Sequence, residues 1–136
     1  MPRFTLAVSL LLALPLGIAQ AASLKEQELN KTLNQVAKES SVGTPRAINE
    51  DILDQGYTVQ GKELINHLAV LPSHAAKMRE NPRDVYLQLG ASVCRNRGYQ
   101  QLMAEGAVMR YDFTEYKTNK PIMTQRYAAA DCGKQP

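Results

Sequence analysis

The most chemically suggestive stretch of the sequence is SVCRNRGYQ, residues 92–100, in which a cysteine stands among arginines. Cys94 is followed directly by Arg95 and, three residues on, by Arg97. Positive neighbours stabilise a thiolate, so they lower the pKa of a thiol and make it a better nucleophile. The stretch therefore has two interpretations: a reactive thiol, or one half of a structural disulfide.

The N-terminus of the sequence predicts the compartment in which this thiol would act. Arg3 precedes a nearly unbroken apolar run that ends at the small-residue site Ala19–Gln20–Ala21. These are the three regions of a secretory signal peptide. A transmembrane anchor is the disfavoured alternative, because the run contains a proline and a glycine and has no basic flank at its end. We expect residues 1–21 to be a signal peptide and residues 22–136 to be a single secreted or periplasmic domain without a transmembrane anchor.

The cysteine count favours the structural interpretation of the thiol. Cys94 and Cys132 are the only cysteines of the sequence, and export would deliver both to an oxidising compartment. Only one intramolecular pairing exists, and closing a loop of this size stabilises a fold by about 4 kcal/mol in the loop-entropy description. We expect a disulfide between them; a reactive Cys94 and an intermolecular disulfide are the alternatives left open.

Other residues with catalytic or metal-binding chemistry do not form a recognisable set. His67 and His74 are the only histidines, and Glu63 is four residues before the first of them. Zinc needs three or four ligands, and neither HExxH nor a nucleophile elbow occurs. The adjacent carboxylates Glu50 and Asp51 lie in a polar segment typical of a turn or strand edge. We expect no enzyme, and no catalytic residue, cofactor or metal site.

The charge balance disfavours a nucleic-acid partner, and we expect none. The sequence has 16 Lys and Arg against 13 Asp and Glu, a formal charge of +3 that falls by one when Arg3 is removed. Nucleic-acid binders carry a much denser basic face.

A basic group around the central helices is the least ordinary surface feature. Arginine beside tyrosine suits the recognition of carboxylate, phosphate or sulfate groups. The candidate anionic-partner surface consists of Lys77, Arg79, Arg83, Arg95, Arg97 and Tyr99. The alternative is the solvated face of two helices, since Glu80 and Asp84 interrupt the basic run. The expected partner is an unidentified protein or an anionic macromolecule.

The elements that would position these residues begin with an amphipathic helix over residues 24–40, opened by a capping box at Ser23 and Glu26. Two strands are predicted between Ala47 and Leu71. For residues 62–70 a helical stripe is an alternative, and we favour the strand because a strand pair would match the order of the second half of the chain.

The second half predicts helices and then a hairpin. A short helix over 73–80 precedes one that begins at Pro82, breaks near Gly98 and ends by Gly106. Apolar residues alternate with polar ones in GAVMRYDFTEY, and the pattern returns after the turn KTNK. The sequence thus predicts an α+β fold with one disulfide: a four-stranded antiparallel sheet with helices packed on one face, in the order α-β-β-α-α-β-β.

Four segments together resemble a small family of secreted pseudomonad proteins. They are the junction QAAS, the stretch VYLQLGASVCRNRGYQQLM, the segment GAVMRYDFTEY and the terminal AADC. Members of that family are described as "putative quorum-sensing-regulated virulence factors". The resemblance covers essentially the whole mature chain and implies export and regulation by cell density. It implies no catalytic motif, cofactor or substrate, so no functional residue carries over.

Two functions follow as expectations. The first is a secreted, non-enzymatic interaction protein, a quorum-sensing-regulated virulence factor that binds a macromolecular partner. The alternative is a periplasmic accessory or inhibitor protein that acts on another exported protein.

Overall fold

The computed structural model describes residues 16–133, with side chains from Ser23 onward. Helix α1 (Leu16–Ser40) is followed by the strands β1 (Arg46–Ala47), β2 (Ile52–Gln60) and β3 (Glu63–Val70). Three helices come next, namely α2 (Pro72–Glu80), α3 (Pro82–Arg95) and α4 (Arg97–Ala104). The strands β4 (Val108–Glu115) and β5 (Pro121–Tyr127) and the short helix α5 (Ala129–Cys132) complete the chain.

The strands form one five-stranded mixed sheet in the order β1-β2-β3-β4-β5. The prediction of four antiparallel strands was wrong on both points. The additional strand, β1, is only two residues long, so it has no periodic pattern to read. β3 and β4 are parallel because α2, α3 and α4 return the chain to the end of the sheet where β3 begins.

The predicted strand over residues 62–70 is confirmed as β3. It lies in the middle of the sheet, and its residues from Leu64 to Val70 are buried apart from the half-buried His67. A strand whose side chains are buried on both faces has a nearly continuous apolar run instead of a clean alternation of apolar and polar residues. That is why the segment also fitted a helical stripe.

The helices differ from prediction in number and in boundaries. The predicted order α-β-β-α-α-β-β has two central helices and none after the hairpin, whereas the structure has three central helices and also α5, which at four residues is too short to show a period. α1 begins at Leu16 rather than at residue 24, because the alanine-rich residues before Ser23 are good helix formers that extend it. Residues 1–15 of the predicted signal peptide lie outside the described residues. The break between α3 and α4 falls at Asn96, whose side chain accepts a hydrogen bond from Tyr99 N and so caps α4, rather than at Gly98.

The helices gather the core on one face of the sheet, as predicted. Leu29 and Leu33 of α1 and Met103 of α4 pack against sheet residues such as Leu64 and Met109. Within residues 16–133, no helix that contributes to the core cluster packs on the opposite face, which we call the open face. The alternation predicted for the hairpin is confirmed, since Met109, Tyr111 and Phe113 are buried and the residues between them are not.

A β-bulge in β2 lies where the chain after α1 closely approaches the sheet. The register shifts between Asp54 and Tyr57, so the residues before and after the bulge keep the same face toward the core. Gly56 has a φ of +102°, and a Cβ there would lie 3.0 Å from Thr44 Oγ1 and 3.2 Å from Ser41 Oγ. Only glycine permits both this conformation and this close approach of the chain after α1.

The predicted disulfide is confirmed: Cys94 at the end of α3 is bonded to Cys132 in α5. The two residues are 38 positions apart, and the loop they close contains α4, β4 and β5. The thiol that its arginines made look reactive is therefore a structural connection between the helical layer and the end of the sheet.

Candidate functional site

An apolar groove lies on the helix side of the sheet, and we call it the helix-side groove. Its volume is about 250 Å³. Its apolar lining residues are Ile48, Ile52, Leu68, Met78, Val85, Leu89 and Phe113, and its polar ones are His74 and Gln88. It continues into a shallower depression between α2 and α3, where Lys77, Asn81 and Asp84 join the lining. The arrangement is an apolar floor with a polar border.

The groove exists because α1 is too short to cover the whole of β2. The Oγ of Ser41, just beyond α1, accepts a hydrogen bond from Tyr57 N at 2.8 Å, which places the end of the helix at the bulge. The beginning of β2, with the half-buried Ile52, therefore lies beyond the end of α1 and faces the groove, whose other lining residues include Met78 of α2 and Leu89 of α3. Ile48 borders the groove and is 56% exposed.

A second hollow lies on the open face near the same end of the sheet, and we call it the open-face pocket. Ala47, Leu53 and Ala69 occupy one row across three strands, and two of them are too small to fill the surface. Leu71 and Tyr116 form one side, and the turn 49–51 forms the other. The pocket has a volume of about 170 Å³.

The turn beside the open-face pocket is held by its own hydrogen bonds. Asn49 Oδ1 accepts from the backbone N–H groups of Asp51 and Ile52, at 2.8 and 2.9 Å. Leu71 N donates to the carbonyl oxygen of Asp51 at 2.9 Å, which joins the turn to the end of β3. Glu50 is carried on this turn without an ion-pair partner among the described residues.

Farther along the open face, charged side chains pair across three strands. Glu63 accepts from Arg110 and from Arg126, each at 2.9 Å, and Arg110 also donates to both oxygens of Asp112. Partial burial alone would raise the pKa of Glu63, but the hydrogen bonds from the two arginines outweigh it, so the pKa is lowered. The pKa of Asp112 is lowered in the same way, with Thr124 as a further donor.

This network predicts a pH-dependent contribution to stability. A carboxylate with a lowered pKa stabilises the fold above its unfolded pKa of about 4.3, and the contribution is lost as pH falls through the folded value. We expect Glu63→Gln to lower the melting temperature more at pH 7 than near pH 3, because the contribution of the carboxylate shrinks as the pH falls toward its lowered folded pKa. Thermal unfolding followed by circular dichroism at both pH values checks this. The matched control is Glu50→Gln, which should change little; an equal deficit for Glu63→Gln at both pH values would contradict the prediction.

The structure places the six residues of the candidate anionic-partner surface in two groups. Arg79 is already engaged, with Glu115 Oε1 and the carbonyl oxygen of Pro121 both at 3.2 Å. Lys77 and Arg83 lie near the beginning of α3, whereas Arg95 is twelve residues farther along the helix, on the order of 18 Å away. Arg97 is exposed two residues after Arg95, whereas the half-buried Tyr99 packs against the hydrophobic core. Whether either group binds an anionic partner stays a prediction.

The two histidines lie in different surroundings. His67 Nε2 is 2.6 Å from Thr58 Oγ1 on the open face. His74 Nδ1 is 3.7 Å from Asp51 Oδ2, beside the helix-side groove. Among residues 16–133 no three His, Cys, Asp or Glu side chains come together as a metal-ligand set. No helix within that range is long and apolar enough to cross a membrane.

Comparison with known proteins places the chain in a family. Residues 22–133 match the family described as "putative quorum-sensing-regulated virulence factor". The chain belongs to this family. The resemblance inferred from sequence segments is thus confirmed, and the match spans nearly all of the predicted mature chain. No curated protein matches the chain.

Solved structures agree with this membership of the virulence factor family. A secreted protein of Pseudomonas aeruginosa, described as "putative", is 66% identical, with a TM-score of 0.79 over 80% of this chain and 96% of that one. Two pilotins of type 2 secretion systems are 15% identical. EpsS of Vibrio vulnificus has a TM-score of 0.68 over 84% of this chain and 98% of its own, and AspS of Vibrio cholerae 0.66 over 82% and 99%. At that identity the likeness shows a shared fold alone.

The sequence of this family member did not predict the helix-side groove or the open-face pocket. The groove depends on where α1 ends relative to a bulge, and no periodic pattern reports that distance. A weak signal existed for the pocket, since Ala47 and Ala69 are small residues within strands that otherwise carry large ones. Recognising it would have required the register that aligns them.

Proposed function

We propose that the mature protein is a secreted, non-enzymatic interaction protein that binds a segment of another protein in the helix-side groove. Its role as a quorum-sensing-regulated virulence factor would follow from that binding. The observation that carries the proposal is the apolar lining of the groove together with the 56% exposure of Ile48. An exposed apolar concavity with a polar border is typical of a protein-binding surface.

The dimensions and lining of the groove favour a peptide segment over a cofactor. Its apolar floor of about 250 Å³ opens into the depression lined by Lys77, Asn81 and Asp84, so an elongated segment can lie along both. An amphipathic segment could place two or three apolar side chains on Ile52, Leu68 and Phe113, as in helix-in-groove recognition. Lys77 and Asp84 at the border could then pair with charges of either sign on the segment's flanks.

The polar groups of the groove support a binding role rather than catalysis. Of the residues that line the helix-side groove, His74 is the one with a titratable side chain. Its Nδ1 lies 3.7 Å from Asp51 Oδ2. A hydrolytic site also needs a nucleophile and an oxyanion-stabilising pair of donors near such a histidine. Gln88 is the other polar member of the lining, and it is no nucleophile.

A capture experiment tests the groove. The oxidised mature protein is used as bait with bacterial envelope and host-cell extracts, and bound proteins are identified by mass spectrometry. We expect a partner that the bait with Ile48→Glu loses at least ten-fold, because a carboxylate would be buried against the apolar segment. Val42→Glu is the matched control: Val42 is 74% exposed and lies outside the groove, so this bait should keep the partner. Equal retention by both baits would contradict the proposal.

The candidate anionic-partner surface can be tested with the same captured partner. Lys77→Glu with Arg83→Glu reverses charge near the groove, and Arg95→Glu with Arg97→Glu reverses it at the other end of α3. We expect the first pair to weaken binding several-fold more than the second, because Lys77 lines the depression that continues the groove and Arg83 is next in the chain to Asp84 of the same lining. The comparison is made at two salt concentrations, since attraction between exposed charges weakens as salt rises. No difference between the pairs would remove the basic residues from the binding surface.

A periplasmic accessory or inhibitor role is the second candidate. The two Vibrio pilotins that share the fold are named as parts of type 2 secretion systems. A comparable role for this chain would be assistance to another exported protein. Location separates the two candidates, since recovery from the culture supernatant favours a secreted factor and recovery from the periplasmic fraction favours an envelope accessory.

A further inference from the structure

The open-face pocket has the size of one side chain. Its volume of about 170 Å³ is close to the cavity of roughly 150 Å³ that accepts benzene in an engineered protein core. The floor is aliphatic, from Ala47, Leu53 and Ala69, and Leu71 and Tyr116 supply the apolar side. A leucine or phenylalanine side chain would fill it, whereas a cofactor would not fit.

The walls of the pocket are in place before anything binds. Leu71 N is hydrogen-bonded to Asp51 O at 2.9 Å, and Tyr116 N to Val70 O at 2.8 Å. The turn on the other side is held by Asn49. A pocket whose backbone is already fixed avoids the entropy cost of ordering its loops when a ligand enters.

The rim of the pocket adds a charge requirement. Glu50 and Asp51 both contribute to the lining. Asp51 has His74 as its ion-pair partner at 3.7 Å, on the groove side of the turn, whereas Glu50 has none among the described residues. Lys117 is the cation near this wall, and its Nζ lies 5.7 Å from the centre of the Tyr116 ring. A partner that places a cation beside Glu50 would find an unpaired carboxylate there.

From these features we propose that the open-face pocket binds one large apolar side chain of a protein partner, with an adjacent lysine or arginine of the partner beside Glu50. The inference rests on the proposed protein-binding function but assigns it a second surface. Ile48 and the turn 49–51 separate the pocket from the helix-side groove. One partner chain could therefore contact both by passing around this turn.

Titration of the isolated, oxidised protein with short peptides tests this pocket without the natural partner. The probe is N-acetyl-Leu-Arg-amide, and the comparison peptides are N-acetyl-Leu-Glu-amide and N-acetyl-Gly-Arg-amide. Binding is followed by NMR through the methyl signals of Ala47, Leu53 and Ala69. We expect the first peptide to shift these signals with a dissociation constant on the order of 1 mM, as suits so small a ligand, and each comparison peptide to bind at least five-fold more weakly.

Two variants make the result specific. Ala47→Leu fills the hollow from an exposed edge position, so it should abolish the shifts at Leu53 and Ala69 while the protein keeps its melting temperature. Glu50→Gln should remove the preference for arginine over glutamate and leave leucine binding in place. The matched control is Glu105→Gln, an exposed carboxylate elsewhere, which should change neither.

Three outcomes would overturn the inference. They are the absence of shifts at these methyl groups, equal shifts with the glutamate peptide, and shifts that appear on concentrating the protein alone, which would make a second copy the occupant. The proposed function fails by a different measurement, the capture that is insensitive to Ile48→Glu. The two failures are therefore distinguishable.

Discussion

Replacement of both cysteines, Cys94→Ser with Cys132→Ser, is expected to lower the free energy of unfolding by about 4 kcal/mol. The disulfide closes a loop of 38 positions, so its removal returns that much conformational freedom to the unfolded chain. For a domain of this size the melting temperature should fall by on the order of 15 °C. The double serine variant leaves no unpaired thiol that could form dimers.

Thermal unfolding of the oxidised protein, the reduced protein and the double variant provides the measurement. Reduced and serine proteins should melt together, well below the oxidised one, with dithiothreitol having no effect on the serine protein. A double variant that melts within about 5 °C of the oxidised protein would show that the helical layer holds the end of the sheet without the bridge. Intact mass under non-reducing conditions should match the bridged form, and a mass larger by two hydrogens would contradict the pairing itself.

Tyr127→Ala should have an effect of similar size for a different reason. The side chain is fully buried, and its ring stacks on Tyr86 at 4.9 Å between centroids and meets the edge of Tyr111 at 6.0 Å. Truncation of a buried aromatic residue costs about 4 kcal/mol through lost transfer energy and the cavity left behind. Denaturant unfolding measures it as a lower midpoint at an unchanged slope.

A smaller substitution separates the ring from its hydroxyl group. Tyr127 Oη donates to the backbone carbonyl oxygen of Tyr86 at 2.7 Å, so Tyr127→Phe should lose about 1 kcal/mol. Tyr116→Ala is the control, since Tyr116 is 39% exposed and lies outside the core cluster. If Tyr127→Phe cost as much as Tyr127→Ala, the hydrogen bond and not the aromatic packing would connect α3 to β5.

The sequence predicted the parts of this fold that repeat along a strand or a helix. The hairpin of β4 and β5 alternates clearly because only one of its faces meets the core. The pairing of Cys94 with Cys132 was predicted because the sequence has two cysteines and a predicted signal peptide that would deliver them to an oxidising compartment. The parallel arrangement of β3 and β4 was missed because strand direction depends on where three intervening helices deliver the chain.

The candidate surfaces were less predictable than the fold. Runs of basic residues are visible in a sequence, but Arg79 turned out to be engaged with Glu115, and Arg83 and Arg95 lie at opposite ends of α3. The groove arises because α1 ends before it reaches Ile52, and the pocket arises because Ala47 and Ala69 have small side chains. Features of that kind become visible only when neighbouring strands are in register.

The position of Cys132 has a consequence for biogenesis. A chain that crosses a membrane from its N-terminus presents α1 and the meander β1–β3 first, and that unit can form from local contacts. β4 must then find β3 across the whole helical crossover, and Cys132 arrives after every strand. In a chain delivered in this order, the bridge can close only after β5 has emerged, so free thiols would mark chains whose maturation is incomplete.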